Sequence, residues 1–136
     1  MICQFASDVL RIHLHQQEGV LETEWLGSAK GEALRHALSE TLRLARLYRV
    51  HGWIANHRQL GPITPADQDW IQEQYMPVFR LLPLQRFGLV YSGDPFGRLS
   101  IHNIMARAQG QLGCEVQQFA LVEEARRWVL EAVAVR

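Results

Sequence analysis

Three short stretches of the chain hold residue types able to do chemistry. The first is Asn56-His57-Arg58, inside "WIANHRQLGPITPADQDW". There an arginine offers a planar fork of donors to an anion, beside a histidine that changes charge near neutral pH. The second is "SGDPFGRLS", carrying Ser92, Gly93, Asp94, Phe96 and Arg98. Its glycines and Asp-Pro turn precede a helix start whose free N–H groups can hold an anion. The third is the pair His13 and His15, on one face of an alternating stretch, which would chelate a metal if further ligands joined them.

Each stretch also has a plainer reading. Asn56 can cap the turn at a strand end, while Arg58 packs across Trp70 or pairs with Asp67. "SGDPFGRLS" lacks the glycine spacing and the lysine of a phosphate-binding loop, and Ser92 has neither a Gly-x-Ser-x-Gly elbow nor an adjacent base. His13 and His15 are only two ligands, whereas structural zinc takes about four. No catalytic set, metal site or cofactor is therefore expected. Asn56, His57, Arg58, Ser92, Gly93, Asp94, Phe96 and Arg98 stand as candidates for ligand or partner contact.

Positioning these residues requires a folded frame, and 136 residues suit one domain, 1–136, with a single core. The composition, 48% hydrophobic and 21% charged, is that of an ordinary globular chain. No stretch approaches the roughly 18 consecutive apolar residues of a membrane span. "MICQFASDVL" has no basic flank or cleavage site and reads as the beginning of the domain, so a cytoplasmic location is expected. Basic and acidic residues balance at 14 each, which leaves no global field for a phosphate backbone, and no nucleic-acid partner is expected. Cys3 and Cys114 lack metal or redox spacing and read as reduced thiols.

Periodicity supplies the elements. "SDVLRIHLHQQ" and "VLETEWLG" alternate as a hairpin about Glu18-Gly19, and "KGEALRHALSETLRLARLYRV" steps by threes and fours as a helix. "GWIAN" and "RFGLVYSG" are apolar without alternation, as strands covered on both faces are. Thr64, Pro65 and Asp67 start a helix that Pro77 should end or kink. A helix over "FGRLSIHNIMARAQGQLG", a strand "CEVQQF" and a closing helix "LVEEARRWVLEAVAV" complete the order β-β-α-β-α-β-α-β-α. That order predicts an α/β fold with a mixed, mostly parallel five-stranded sheet and about four helices. Ligands and partners of such sheets meet the loops at the carboxyl ends of the parallel strands, here "NHRQLGPIT" and "YSGDPFGRLS". Trp25, Trp53, Trp70 and Trp128 either fill the space between sheet and helices or line a pocket. Arg35, Arg43, Arg46 and Arg49 read as a solvated helical side.

Trp25-x-Gly27, the 53–71 stretch, "VYSGDPFGRL" and the terminal Phe119, Ala125 and Trp128 resemble a bacterial group of small STAS-like (SpoIIAA-like) domain proteins. Those are related in fold to lipid-binding CRAL-TRIO domains and to anti-sigma-factor antagonists, and the likeness covers almost the whole chain. It implies a non-enzymatic regulatory or protein-interaction domain, with a protein partner or a homodimer. The alternative it implies is a domain binding a small ligand, a lipid or an anionic metabolite. The antagonists' phosphorylatable serine turn has no counterpart, since Asn56 to Gly61 holds no serine or threonine. The group's Asp-x-Arg at the strand end is here Asn56-His57-Arg58, which removes that carboxylate as a partner for Arg58.

Overall fold

Alternation sorts the first hairpin into two faces. In the computed structural model, which describes residues 1–134, strands β2 (Leu10–His15) and β3 (Val20–Trp25) bury Leu10, Ile12, Leu14, Leu21, Thr23 and Trp25 on one side. Arg11, His13, His15, Glu22 and Glu24 take the other, as the two-residue period of a strand requires. Gly19 closes the turn with φ +67°, a left-handed conformation that glycine adopts without a steric penalty.

β3 then pairs in parallel with β4 (Gly52–Asn56), β4 with β5 (Arg86–Val90), and β5 with β6 (Glu115–Phe119). β4 is buried along its whole length between two neighbours, which is why "GWIAN" carries no alternation. The expected sheet had five strands; the structure has six, because β1 (Ile2–Ala6) pairs antiparallel with β2 at the edge, with an irregularity between Cys3 and Phe5. The stretch read as the start of the domain is thus a strand of the sheet. "ICQFA" shows no clean alternation because neither face of this edge strand is fully covered.

The sheet order β1-β2-β3-β4-β5-β6 is sequential. Right-handed crossovers that always step the same way leave their helices on one face. Those helices are α1 (Gly31–Leu47), a rod made of α2 (Pro65–Trp70), a π-helical turn (Ile71–Tyr75) and α3 (Met76–Phe79), and α4 (Pro95–Ala108). They cover the larger core, while α5 (Val122–Ala134) crosses the opposite face and packs Ala125 and Val129 on Val20, Ile54 and Val90. Gly52 permits this docking, since a Cβ there would stand 2.6 Å from Val129 Cγ1. Phe119 and Trp128 stack beside it with ring centroids 5.7 Å apart. Of the closing helix read to Val135, residues 135 and 136 lie outside the described residues.

Pro77 distorts its helix, which stops at Phe79. The ring removes one N–H and crowds the preceding turn, and the chain widens into the π-helical turn just before it. Thr64 is the expected N-cap: its hydroxyl accepts from Asp67 N at 3.2 Å. Asp67 does more than cap. It accepts from Gly31 N at 2.9 Å and from Arg35 Nε at 3.3 Å, joining the starts of two helices. Burial opposes its charge, but these bonds outweigh burial and hold the carboxyl below its ordinary range. Arg35 also lies over Trp70, 5.5 Å from the ring centroid. The partner expected for Asp67 and Trp70 was Arg58; it is Arg35, reaching from α1.

The tryptophans divide. Trp25 and Trp53 wall an internal apolar cavity of about 80 Å³ between sheet and helices, with Phe79, Phe87 and Met105. Trp70 and Trp128 lie outside it. Trp53 Nε1 donates to Thr23 Oγ1 at 3.1 Å, and Tyr75 shares a 2.8 Å hydrogen bond with Thr41, so these polar atoms at the cavity wall are paired. Among the described residues, no helix is long and apolar enough to cross a membrane.

Candidate functional site

The parallel strands deliver their last residues to one edge of the sheet, and both loops singled out in the sequence meet there. At the end of β4, alternation sends Asn56 and His57 to opposite faces. Asn56 Oδ1 accepts from Arg58 N at 3.1 Å, the strand-end turn expected of asparagine. Arg58 O in turn accepts from Gly93 N at 2.9 Å, which fastens the loop after β4 to the loop after β5.

Ser92 is spent on the same junction. Its hydroxyl donates to Leu60 O at 2.6 Å and accepts from Asp94 N at 3.1 Å, and the residue is 2% exposed. The proton a nucleophilic serine would have to give up already serves the fold. Asp94 is the N-cap of α4, its Oδ1 accepting from Phe96 N at 2.9 Å. Arg98 folds back from the first turn of α4: Nε and Nη2 donate to Ser92 O at 3.2 and 3.0 Å, and its guanidinium carbon lies 5.5 Å from the Tyr91 ring centroid.

Four of the eight expected residues, Arg58, Ser92, Gly93 and Arg98, therefore line one shallow depression of about 380 Å³ together with Tyr91 and Ala120. His57 does not join them there. It forms the floor of an adjoining groove of similar size between β5 and α4, walled by Leu99, Ile101, His102 and Gln118. The same imidazole borders the internal cavity. Asn56 opens instead onto a polar cleft on the α5 side. Asp94 and Phe96 line none of these hollows; Phe96 projects outward, 69% exposed.

His57 is buried and its side chain makes no hydrogen bond among the described residues, so burial alone pushes its pKa down to about 4. It is uncharged at neutral pH, with no carboxylate beside it to make an acid–base pair. Because the unfolded chain takes up this proton near 6.5, His57 lowers stability as the pH falls from 6.5 towards 4. Its ring resonances should accordingly titrate with a midpoint near 4 in a proton NMR series; a midpoint near 6.5 would show a ring open to solvent.

No family model matches the chain, and no curated protein matches it significantly.

Sequence reasoning missed the other side of the edge. Glu22 is 2% exposed, and Arg126 of α5 grips it through Nε to Oε1 at 2.9 Å and Nη2 to Oε2 at 2.6 Å, with His15 Nε2 3.0 Å from Oε1. Burial would raise the carboxyl's pKa; the bonds from His15 and Arg126 outweigh that and bring it down to about 2. His15, weighed as a metal ligand, is thus a partner of Glu22, and His13 Nε2 stands 3.8 Å from Glu24. The available signal was the acidic pair Glu22 and Glu24 on the non-core face of a strand flanking the fully buried β4.

Proposed function

We propose that the chain is a non-enzymatic regulatory or protein-interaction domain of STAS-like type, which captures an acidic segment of a partner protein at the carboxyl edge of its sheet. The observation that carries this reading is the pairing of cations with exposed apolar surface at that edge. Arg58 and Arg98 line one depression, and the Arg58 side chain has no hydrogen bond or ion pair among the described residues. Around them the first turns of α4 expose Phe96 (69%) and Leu99 (54%), and the loop after β6 exposes Leu121 (57%). Interfaces take most of their energy from aromatic and arginine anchors, and paired guanidiniums suit carboxylates. The tryptophan and loop pattern supports the STAS-like type, together with an α/β fold in which helices cover both faces of the sheet.

Arg58→Ala and Phe96→Ala should each weaken partner capture at least about tenfold, since an anchor residue is worth roughly 2 kcal/mol. Both side chains are exposed, so melting temperatures should hardly move. Capture unaltered in both variants would remove this surface from the interface.

The groove above His57 favours a second reading, a domain binding a lipid or an anionic metabolite. Its walls set Leu89, Val90, Leu99 and Ile101 beside Arg98, His102 and Gln118, and its floor is an imidazole without a partner among the described residues. Native mass spectrometry of the freshly purified chain separates the two readings: a retained small adduct supports the second.

A further inference from the structure

We propose that the cleft on the α5 side of the sheet, which shares Arg58 and Leu121 with the carboxyl-edge surface, binds a free α-amino acid or a similar small zwitterion. It rests on Glu24 standing beside Asn56 and Arg58 around a hollow of about 450 Å³. The proposal does not depend on the carboxyl-edge surface being an interface.

Glu24 and Asn56 are register partners on adjacent strands, β3 and β4. Strand neighbours stand about 4.8 Å apart with side chains rising from the same face, so the carboxylate and the amide lie side by side. Asn56 is 8% exposed, and its orientation is fixed: Oδ1 must accept the Arg58 N–H, which leaves Nδ2 as a donor. That donor has no partner among the described residues, and Asn56 borders the cleft. The Arg58 guanidinium beside it is likewise unpaired among the described residues. The first turn of α5 adds to this donor side. Ala125 N is the first to bond back, to Leu121 O at 3.3 Å, so the preceding N–H groups are unfilled and carry the helix's positive end.

Glu24 supplies the acceptor side. Its nearest basic groups, Arg11 Nη1 and His13 Nε2, are both 3.8 Å away, beyond hydrogen-bond length, so its oxygens are open to a further donor. Glu22 is not open; Arg126 and His15 occupy it at the floor of the cleft.

Charge balance chooses the ligand class. A bare anion would meet Glu24 and Glu123, and a bare cation would meet Arg58 and Arg126. A molecule with an ammonium and a carboxylate on one carbon satisfies both sides at once, the ammonium on Glu24 and the carboxylate on Asn56 Nδ2 and Arg58. The volume falls within the roughly 300–1,000 Å³ of small-molecule sites. The remaining lining, Met1, Ala120, Leu121 and Val122 with His13 beside Glu24, suits an uncharged side chain.

The test is to titrate the full chain with each common L-amino acid separately, using saturation-transfer NMR, with calorimetry for those that bind. At least one with an uncharged side chain should bind. Its N-acetyl derivative and its C-terminal amide should each bind at least about tenfold more weakly, because each lacks one of the two charges. Glu24→Gln, a change on a partly exposed strand position, should cost a similar factor while leaving the circular dichroism spectrum unchanged. Three results would each overturn the proposal: no amino acid binds; acetate or the blocked derivatives bind as well as the free amino acid; or Glu24→Gln binds it undiminished.

Discussion

Replacing Arg126 by methionine should destabilise the chain by about 3 kcal/mol, because it strands a buried carboxylate. Glu22 is 2% exposed and holds its charge through two hydrogen bonds from Arg126 and one from His15. Methionine keeps much of the apolar stem of Arg126 but neither donor, so Glu22 must either remain charged with one partner or take up a proton. Replacing Glu22 by leucine in the same variant removes the stranded charge and should recover most of the loss, since matched apolar residues often equal a buried ion pair. The pH dependence carries the same signature. A carboxyl held at about 2 instead of 4.5 adds stability that is complete above 4.5 and is lost as the pH falls towards 2. In Arg126→Met the native carboxyl loses its Arg126 donors and its pKa rises, so that acid loss should shrink and the variant's deficit should be largest at neutral pH. Urea denaturation of the three proteins at neutral and acid pH checks both points, and an Arg126→Met curve matching the parent would show that α5 is not held to the sheet by this pair.

Gly97→Ala is the second large effect. A Cβ at this position would lie 2.3 Å from Leu60 O and 2.6 Å from Ser92 Oγ. The first obstacle is backbone, and that carbonyl is already fixed by the Ser92 hydroxyl. α4 can accept the methyl only by moving away from the turn after β4, which breaks the Ser92 junction. Overpacking of this kind costs about 3 kcal/mol, or a melting temperature lower by roughly 10 °C. Arg98 travels with α4 and Arg58 with the turn, so the same substitution should weaken partner capture although it changes no exposed residue. An unchanged melting temperature would mean that the 57–61 turn and α4 are not packed as tightly as the structure shows.

The frame was legible wherever burial imposes a period. Leu34, Leu38, Leu42 and Ala45 announce α1, and the unbroken apolar runs of β4 and β5 announce interior strands, because one stripe or both faces must be covered. β1 was not legible, since an uncovered edge strand has no face to pattern. Pro77 was legible as a point where the helix ends or kinks, but not the form this takes: the chain widens into a π-helical turn just before it and the rod stops at Phe79. At the candidate site, Asn56, Arg58, Ser92 and Arg98 were legible as residues of two strand-end loops, and parallel pairing brings those loops together. It did not reveal which groups would be spent. Ser92 is consumed by Leu60, whereas Arg35 takes the partners that proximity had suggested for Arg58. Glu22 was not singled out, because α5, more than 100 positions later in the chain, supplies its cover.

The central claim is that binding takes place at the carboxyl edge of the sheet. A photo-cross-linking amino acid placed at position 96, and separately at Leu81, which is 82% exposed elsewhere on the surface, tests it most directly in the cells the protein comes from. The account predicts a discrete protein adduct from position 96 that disappears when Arg58 and Arg98 are both changed to alanine, and none from position 81. An adduct from position 81 alone, or one at position 96 that survives loss of both arginines, would contradict it.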